Sequence, residues 1–446
     1  MSNPLENMDS SGDSDSSMSE GKAIYPPCAI IDQYMKIARA SCESEDNLLL
    51  GALLPVCGGV LGRRVWFEFG TRLYPNIYTM LAAKAGFRKS TCVRMVSKIA
   101  SRILSKDRFL SSQASEEALF CEYDDKNGGC CDKILIEDEG NTIIANWSNS
   151  QYGKVVSKRF LSLYDCGCWR QSFKQNLKEG DSVIREIEET STSVLIAATL
   201  GVAGFRELES KDGLQRRFLT YLSERLARTL YFPLSVSGRE FEDLCMNLST
   251  LDRLSGRLKL SEEALGRWVS IQDRNRSEIQ DCNLDQSSDS EMRGSALATE
   301  PTHTLKVATI FACLRRIPFV SANSAAPTID HLDLHHANMH VRQCIRDSMA
   351  LESVSERSAI REDAERVYAI IQADCIHSEC FHDENGKYIR RSKTQLTSKF
   401  ANDPRRGGIT TDRLYYKIVP ELIRQGRCIE LEQTGRSRIY GFPVEE

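Results

Sequence analysis

Lys89 and Ser90, near the end of the run Ala83-Lys84-Ala85-Gly86-Phe87-Arg88-Lys89-Ser90-Thr91, are the residues whose types and spacing most directly suggest chemistry. A polyphosphate is held where backbone N–H groups converge at a helix N-terminus, with a lysine on the terminal phosphates and a hydroxyl on a magnesium ion. Lys89 and Ser90 have the types needed for the last two tasks, and the turn from Ala83 to Thr91 supplies the N–H groups. Ala83 and Arg88 stand where the G-x-x-x-x-G-K-[ST] pattern has its two glycines, and Gly86 is the one glycine in the loop. A basic helix start would show the same residues. What separates the two readings is whether the chain supplies partners downstream.

The first partner is Lys133-Ile134-Leu135-Ile136-Glu137-Asp138-Glu139-Gly140, a short apolar strand ending in adjacent carboxylates, about fifty residues after Lys89. Nucleotide hydrolysis needs one acid for the magnesium shell, here Asp138, and one to orient and deprotonate the attacking water, here Glu139. An acidic turn at a strand end is the plainer alternative. Thr192 to Thr199 is the cleanest buried strand and ends on a hydroxyl placed to sense a γ-phosphate. Gly213 to Leu219 carries Arg216 and Arg217, read as opening a helix and presenting positive charge to a neighbouring subunit's nucleotide. A surface arginine pair accounts for the same residues. Between these lies an alternating segment around Glu179-Gly180-Asp181, expected to be a β-hairpin. Lys174 and Lys178 near its tip could follow single-stranded DNA in a central channel, or decorate a plain surface hairpin.

These residues require a scaffold of strands feeding loops. Ile77 to Ala82 reads as a buried strand, and Val93, Met95, Val96 and Ile99 mark the helix after the loop. Ala29 to Ala40 and Asn47 to Leu61 read as two helices, followed by an extended Arg64 to Phe69 leading straight into the phosphate-loop strand. Gln113 to Tyr123 is a further helix. Residues 225–350 read as a mostly helical lid interrupted by a loop from Asp281 to Ser290, with Lys306 as a nucleotide contact or an exposed lysine on a packing helix. The expected architecture is an α/β P-loop core, a parallel sheet flanked by helices, with a helical lid and a C-terminal winged-helix domain. The expected divisions are a disordered tail (1–22), a helical lead-in (23–72), the core (73–232), the lid (233–350) and the winged helix (361–446).

The order of the parts is that of ring-forming AAA+ ATPases and superfamily 3 helicases. From about Tyr25 to Ala350 the chain resembles a family of phage, plasmid and integrated-element P-loop proteins regarded as replication-associated, helicase-like ATPases. The likeness is carried by Pro75-Asn76-Ile77-Tyr78, Arg88-Lys89-Ser90-Thr91, Leu163-Tyr164-Asp165, Gly213 to Leu219, and the helix from Pro301 through Lys306 to Ile310. It implies ATP hydrolysis with Mg²⁺ in element replication, a hexamer as the usual assembly, and a possible primase or other replication partner.

The last 86 residues (361–446) read as a separate unit of three helices and two strands around Thr434-Gly435. Leu422 to Leu431 resembles the winged-helix family. From Lys387 to Tyr440 there are thirteen Lys/Arg against five Asp/Glu, in a chain of net charge −4. A recognition helix starting at Thr410-Thr411 would direct Arg413, Tyr416 and Lys417 to a major groove of duplex DNA. Arg405, Arg406, Arg436 and Arg438 would reach phosphates or the minor groove. Other winged helices bind proteins.

The overall charge excludes a uniformly basic nucleic-acid coat protein. No apolar run reaches the roughly 18 residues of a membrane span and the N-terminus is unlike a signal peptide, so a cytoplasmic location with no membrane partner is expected. The sixteen cysteines are then expected to be reduced thiols. Cys130, Cys131, Cys166 and Cys168, and the group Cys375, His377, Cys380 and His382, do not match standard zinc spacings. His331, His335, His336 and His340 read as a solvated helix face. The combined expectation is an ATP-driven DNA motor or initiator. The alternatives are a nucleotide-controlled assembly switch in a DNA-binding regulator or defence effector, and a structural relic whose winged helix is the working part.

Overall fold

Alternation of apolar residues and small-residue turns dictates most of the first elements of the chain. The computed structural model describes residues 22–112, 114–124, 130–149, 151–174, 182–200, 213–285, 287–321, 324–373, 380–383, 386–400, 409–434 and 437–444. Two units are distinguished, with the boundary between Leu351 and Glu352. The tail expected at 1–22 lies, apart from Lys22, outside the described residues.

In the first unit, α1 (Ala29–Ser41) and α2 (Asp46–Leu61) precede two strands, β1 (Val65–Phe69) and β2 (Thr71–Leu73). β3 (Tyr78–Ala83) follows, then α3 (Lys89–Ile103), α4 (Glu116–Tyr123) and β4 (Asp132–Glu137). Next come α5 (Gly140–Asn149), α6 (Gln151–Tyr164), the hairpin β5 (Trp169–Lys174) and β6 (Ser182–Ile187), β7 (Ser191–Thr199) and β8 (Phe218–Ser223). The sheet order is β4-β7-β3-β8, with every pairing parallel.

β3 is buried at all six residues, as a parallel strand covered on both faces must be. Ile77, Leu81 and Ala83 pack with Leu53 and Val56 of α2 and Val96 and Ile99 of α3. Tyr78, Met80 and Ala82 pack on the other face with Phe120 of α4, Trp147 of α5 and Phe160 of α6. Full burial of one such aliphatic or aromatic side chain contributes roughly 1.5–3 kcal/mol. The sheet is thereby clamped between two apolar layers.

The lead-in does not run straight into β3. β1 turns antiparallel into β2 and pairs in parallel with β9 (Leu254–Leu260), Val65 opposite Gly256, to build a second sheet. β10 (Ser324–Ala325) and β11 (Thr328–Ile329) also pair with β9. Residues 225–350 are mostly helical as expected, but β9 was not expected; in it Leu254, Leu258 and Leu260 recur with period two. The loop expected over Asp281 to Ser290 is also shorter. One helix runs to Leu284 and the next begins at Ser288, with the Ser287 hydroxyl capping it by accepting from the Ser290 N–H at 3.2 Å.

In the second unit, the end of the helix His331–Ala373 is followed by β12 (Cys380–Asp383), β13 (Gly386–Ser392) and a helix at Lys393–Phe400. A helical stretch then runs from Thr411 to Arg424, with a π turn at Leu414–Ile418, before β14 (Ile429–Thr434) and β15 (Ser437–Pro443). The antiparallel sheet order is β12-β13-β15-β14. The three helices and the final strand pair were expected; the β12–β13 hairpin was not. Its sheet closes over Val367, Ile371, Leu396, Phe400, Leu414 and Leu422.

Candidate functional site

The loop from β3 to α3 takes a conformation that its sequence alone makes costly. Gly86 has φ 87°, natural for glycine, but Arg88 also lies in the left-handed region at φ 63° and ψ 19°. For a residue with a Cβ this costs of order 1–3 kcal/mol. Contacts from the α1–α2 connection offset it. Glu43 accepts from Arg88 Nε at 2.7 Å and from the Leu230 N–H at 3.0 Å, and the Ser44 hydroxyl donates to the Phe87 carbonyl at 2.9 Å. The Leu230 N–H and then the Arg88 guanidinium hold the Glu43 carboxyl below its usual range. The Arg88 side chain is thus committed to the brace.

Lys89 opens α3 and folds its ammonium back over the loop, donating to the Ala83 carbonyl at 2.7 Å and the Lys84 carbonyl at 3.0 Å. Burial pushes its pKa below the ordinary lysine value. Ser90 and Thr91 follow in the first helical turn, where the Thr91 N–H donates to the Arg88 carbonyl at 3.0 Å.

The acids sit at the same end of the sheet. Asp138 and Glu139 are exposed just beyond β4, and the Glu137 carboxylate ties their turn by accepting from their N–H groups at 3.1 and 3.3 Å. α5 starts at Gly140, where a Cβ would lie 2.8 Å from the Ala197 carbonyl oxygen. Only glycine permits that approach. β7 lies between β4 and β3, with Thr199 opposite Ala83, so strand order places Thr199 between the loop and the acids. Asn141 fixes Thr199: its Oδ1 accepts from the Thr199 N–H at 2.9 Å and its amide donates to the Thr199 hydroxyl.

One cavity of about 500 Å³ unites these groups. Ala85, Gly86, Arg88, Lys89, Ser90 and Thr91 form one wall, and Asp138, Glu139 and Thr199 face them. Ala83, Lys84 and Phe87 belong to the loop but not to the cavity wall. Sequence reasoning missed four wall residues, Arg94, Asn141, Thr142 and Ala197. Arg94 lies one helical turn beyond Ser90, a spacing that could have flagged it. Asn141 and Thr142 carried no comparable signal.

Arg216 and Arg217 do not open a helix. They form a 3₁₀ turn leading into β8, because Phe218 to Ser223 pairs with β3 as a buried strand. Since Phe218 is opposite Tyr78, the arginines lie at the end of the sheet away from the β3–α3 loop. Arg217 Nη2 is 3.5 Å from Asp165, and Arg216 Nη1 donates to the Ser295 hydroxyl at 3.4 Å.

Lys306 is neither in the cavity nor exposed, correcting both readings. Its ammonium donates to Asn76 Oδ1 at 2.8 Å and the Tyr164 carbonyl at 3.1 Å, 3.6 Å from the Tyr164 ring centre. Burial brings its pKa down to about 8. The expected solvated histidine face is corrected at His340, which is buried and whose Nε2 lies 2.7 Å from the Tyr221 hydroxyl. β5 and β6 pair antiparallel as expected and Lys174 ends β5, while the turn expected at Glu179-Gly180-Asp181 lies outside the described residues. Lys178 lies outside the described residues.

In the second unit the Thr410 hydroxyl caps the helical stretch at Thr411 by accepting from the Arg413 N–H at 3.2 Å. Arg413 is drawn back onto Asp363 by contacts of 2.8 and 2.7 Å, and Lys417 pairs with Glu356. Two cations expected at a DNA groove are therefore engaged within their own unit. Tyr416 is 78 % exposed, and Arg438 lies 3.5 Å from Glu430. Arg405, Arg406 and Arg436 lie outside the described residues.

Among the described residues, no group of three or more His, Cys, Asp or Glu side chains is placed to hold a metal ion. Cys375 and His377 are outside that set. No described helix is long and apolar enough to cross a membrane. A scan against models of known protein families finds no match, and no curated protein matches the chain.

Proposed function

We propose that the first unit binds and hydrolyses ATP with Mg²⁺, and that the protein is a DNA replication helicase or initiator-like ATPase of a mobile element, working as a ring. One observation carries this reading: a single cavity brings Lys89 and Ser90 at a helix N-terminus to face Asp138, Glu139 and Thr199. Lys89 exchanges its loop carbonyls for the β- and γ-phosphates, and the first turn of α3 supplies N–H groups to the same anion. The donor set fits magnesium, which takes one or two carboxylates together with phosphate oxygens; Asp138 and the Ser90 hydroxyl would hold it. The ion supplies charge neutralisation for the leaving and transferring phosphates. Glu139 orients the attacking water and accepts its proton, while Thr199, held by Asn141, faces the γ-phosphate.

Arg216 and Arg217, at the far end of the sheet, suit a site contributed to a neighbouring copy, with a hexamer as the proposed assembly. The second unit is proposed as a winged helix that grips duplex DNA, and the β5–β6 hairpin as a contact to a single strand in the ring. The pairing of Arg413 with Asp363 and of Lys417 with Glu356 favours one other reading, an ATP-dependent assembly switch that displaces no strand.

The test is ATP hydrolysis by the purified protein with and without single-stranded DNA, with Lys89→Ala as control. Turnover stimulated by DNA and abolished in the variant is the expected result. ATP binding without stimulated turnover would favour the switch, and absence of binding would refute the site.

A further inference from the structure

The thiols of Cys42 and Cys92 lie 3.6 Å apart, buried beneath the phosphate loop. Cys92 directly follows Thr91 in α3, and its N–H donates to the Arg88 carbonyl at 3.2 Å. Cys42 follows the last residue of α1, and its sulfur also lies 3.4 Å from the Ser44 hydroxyl and 3.8 Å from the Arg88 carbonyl. The tertiary fold thus joins a cysteine of the lead-in to one in the first turns of the phosphate-binding helix.

The pair is chemically unlike the other buried cysteines. The hydrogen bond from Cys92, with the Arg228 charge, holds the Cys42 thiol below the usual thiol range against its burial. Arg228 Nη1 is anchored beside it, on the Cys42 and Ser44 carbonyls at 3.1 and 2.9 Å. Cys166, by contrast, is pushed up to about 12 by burial. Two thiols in direct contact are placed to close a disulfide.

We propose that Cys42 and Cys92 form an oxidisable site, closed to a disulfide by a small peroxide, and that closure disables the phosphate loop. The effect on nucleotide rests on the reading of the cavity given above; the chemistry of the thiols does not. Cys42 Sγ gives up its proton and attacks one peroxide oxygen, the O–O bond breaks, and the departing hydroxide takes that proton as water. The Cys92 sulfur then attacks the resulting sulfenic sulfur, the S–O bond breaks, and the departing hydroxide takes the Cys92 proton as a second water. Two thiols lose two electrons and the peroxide is reduced to two waters.

The sulfurs must close from 3.6 Å to about 2.05 Å. The motion falls on the segment that starts at Cys42 or on the first turns of α3. These are the two strips that hold the loop through Ser44 on the Phe87 carbonyl and Glu43 on Arg88. Displacing binding groups by about 1 Å can cost up to about 10²-fold in rate.

The test treats the full-length protein with hydrogen peroxide, alkylates free thiols, and maps peptides without reduction while binding of a fluorescent ATP analogue is measured. The expected result is a Cys42–Cys92 linked peptide, reversed by dithiothreitol, with affinity falling by about tenfold or more. Cys92→Ser, or Cys42→Ser if the first does not fold, should bind nucleotide and keep that affinity after peroxide. Both thiols remaining free to alkylate while other cysteines react would overturn the site. A linked peptide with unchanged affinity would overturn its consequence. If the reduced protein binds no nucleotide, the reading of the cavity fails, and the peptide map alone still decides the disulfide.

Discussion

Thr199 and Asn141 hold each other in both directions: the Thr199 N–H donates to Asn141 Oδ1 at 2.9 Å, and the Asn141 amide donates back to the Thr199 hydroxyl. The clasp joins the end of β7 to the start of α5 and fixes the rotamer of a hydroxyl that faces the cavity. Asn141→Ala frees that hydroxyl without touching Lys89 or the acids. Its kcat for ATP is expected to fall roughly tenfold, the loss of about one hydrogen bond's worth of positioning, with nucleotide affinity nearly unchanged. Steady-state hydrolysis beside equilibrium binding separates the two.

Glu139 is exposed at the cavity, while the neighbouring Glu137 is occupied with the turn. Glu139→Gln should therefore leave ATP binding intact and lower turnover by about 10²–10⁴-fold, the range expected for a positioned general base. Unchanged hydrolysis in this variant would remove Glu139 from the mechanism.

Lys306 ties stability to alkaline pH. Its pKa is about 8 in the folded protein against 10.5 for an ordinary lysine, so between these values the unfolded chain binds more protons and stability rises with pH. Below about 8 both states are protonated and the penalty is constant. Over the window the contribution amounts to roughly 3 kcal/mol. Cys166, Asp165 and Arg217 set the charge around the ammonium. The measurement is thus the difference in urea unfolding between wild type and Lys306→Met at pH 7.5 and pH 10. Wild type should gain on the variant as pH rises, and parallel curves would contradict the assignment.

Arg413 was expected at a groove and is found on Asp363. Arg413→Ala should destabilise the protein by about 1–3 kcal/mol, the cost of breaking a charge-assisted hydrogen bond that is partly sheltered. DNA affinity at constant salt should change little. A large loss of DNA binding with unchanged thermal stability would return Arg413 to the groove.

The strand, loop and helix around Lys89 were legible because each depends on neighbours in sequence: a short apolar run, a glycine turn, then apolar residues at helical spacing. The acidic end of β4, the hairpin of β5 and β6, and the buried β7 were legible for the same reason. β9 was legible in principle, since Leu254, Leu258 and Leu260 alternate, but the long helices around it masked a seven-residue strand. Lys306 was misread because its type argues for exposure, and only the packed fold supplies the Asn76 and Tyr164 oxygens that compensate its burial.

By itself, then, the sequence determined the local elements and the residue types that could hold a phosphate and activate a water, because propensity, periodicity and turn chemistry act over a few residues. Tertiary structure alone decided which of them meet. The order β4-β7-β3-β8 brings Asp138, Glu139 and Thr199 to the loop, and Glu43 holds Arg88 in a left-handed conformation. Asn141 locks Thr199, and Cys42 comes into contact with Cys92. These contacts join residues tens of positions apart and depend on which apolar faces bury one another, so no local pattern records them.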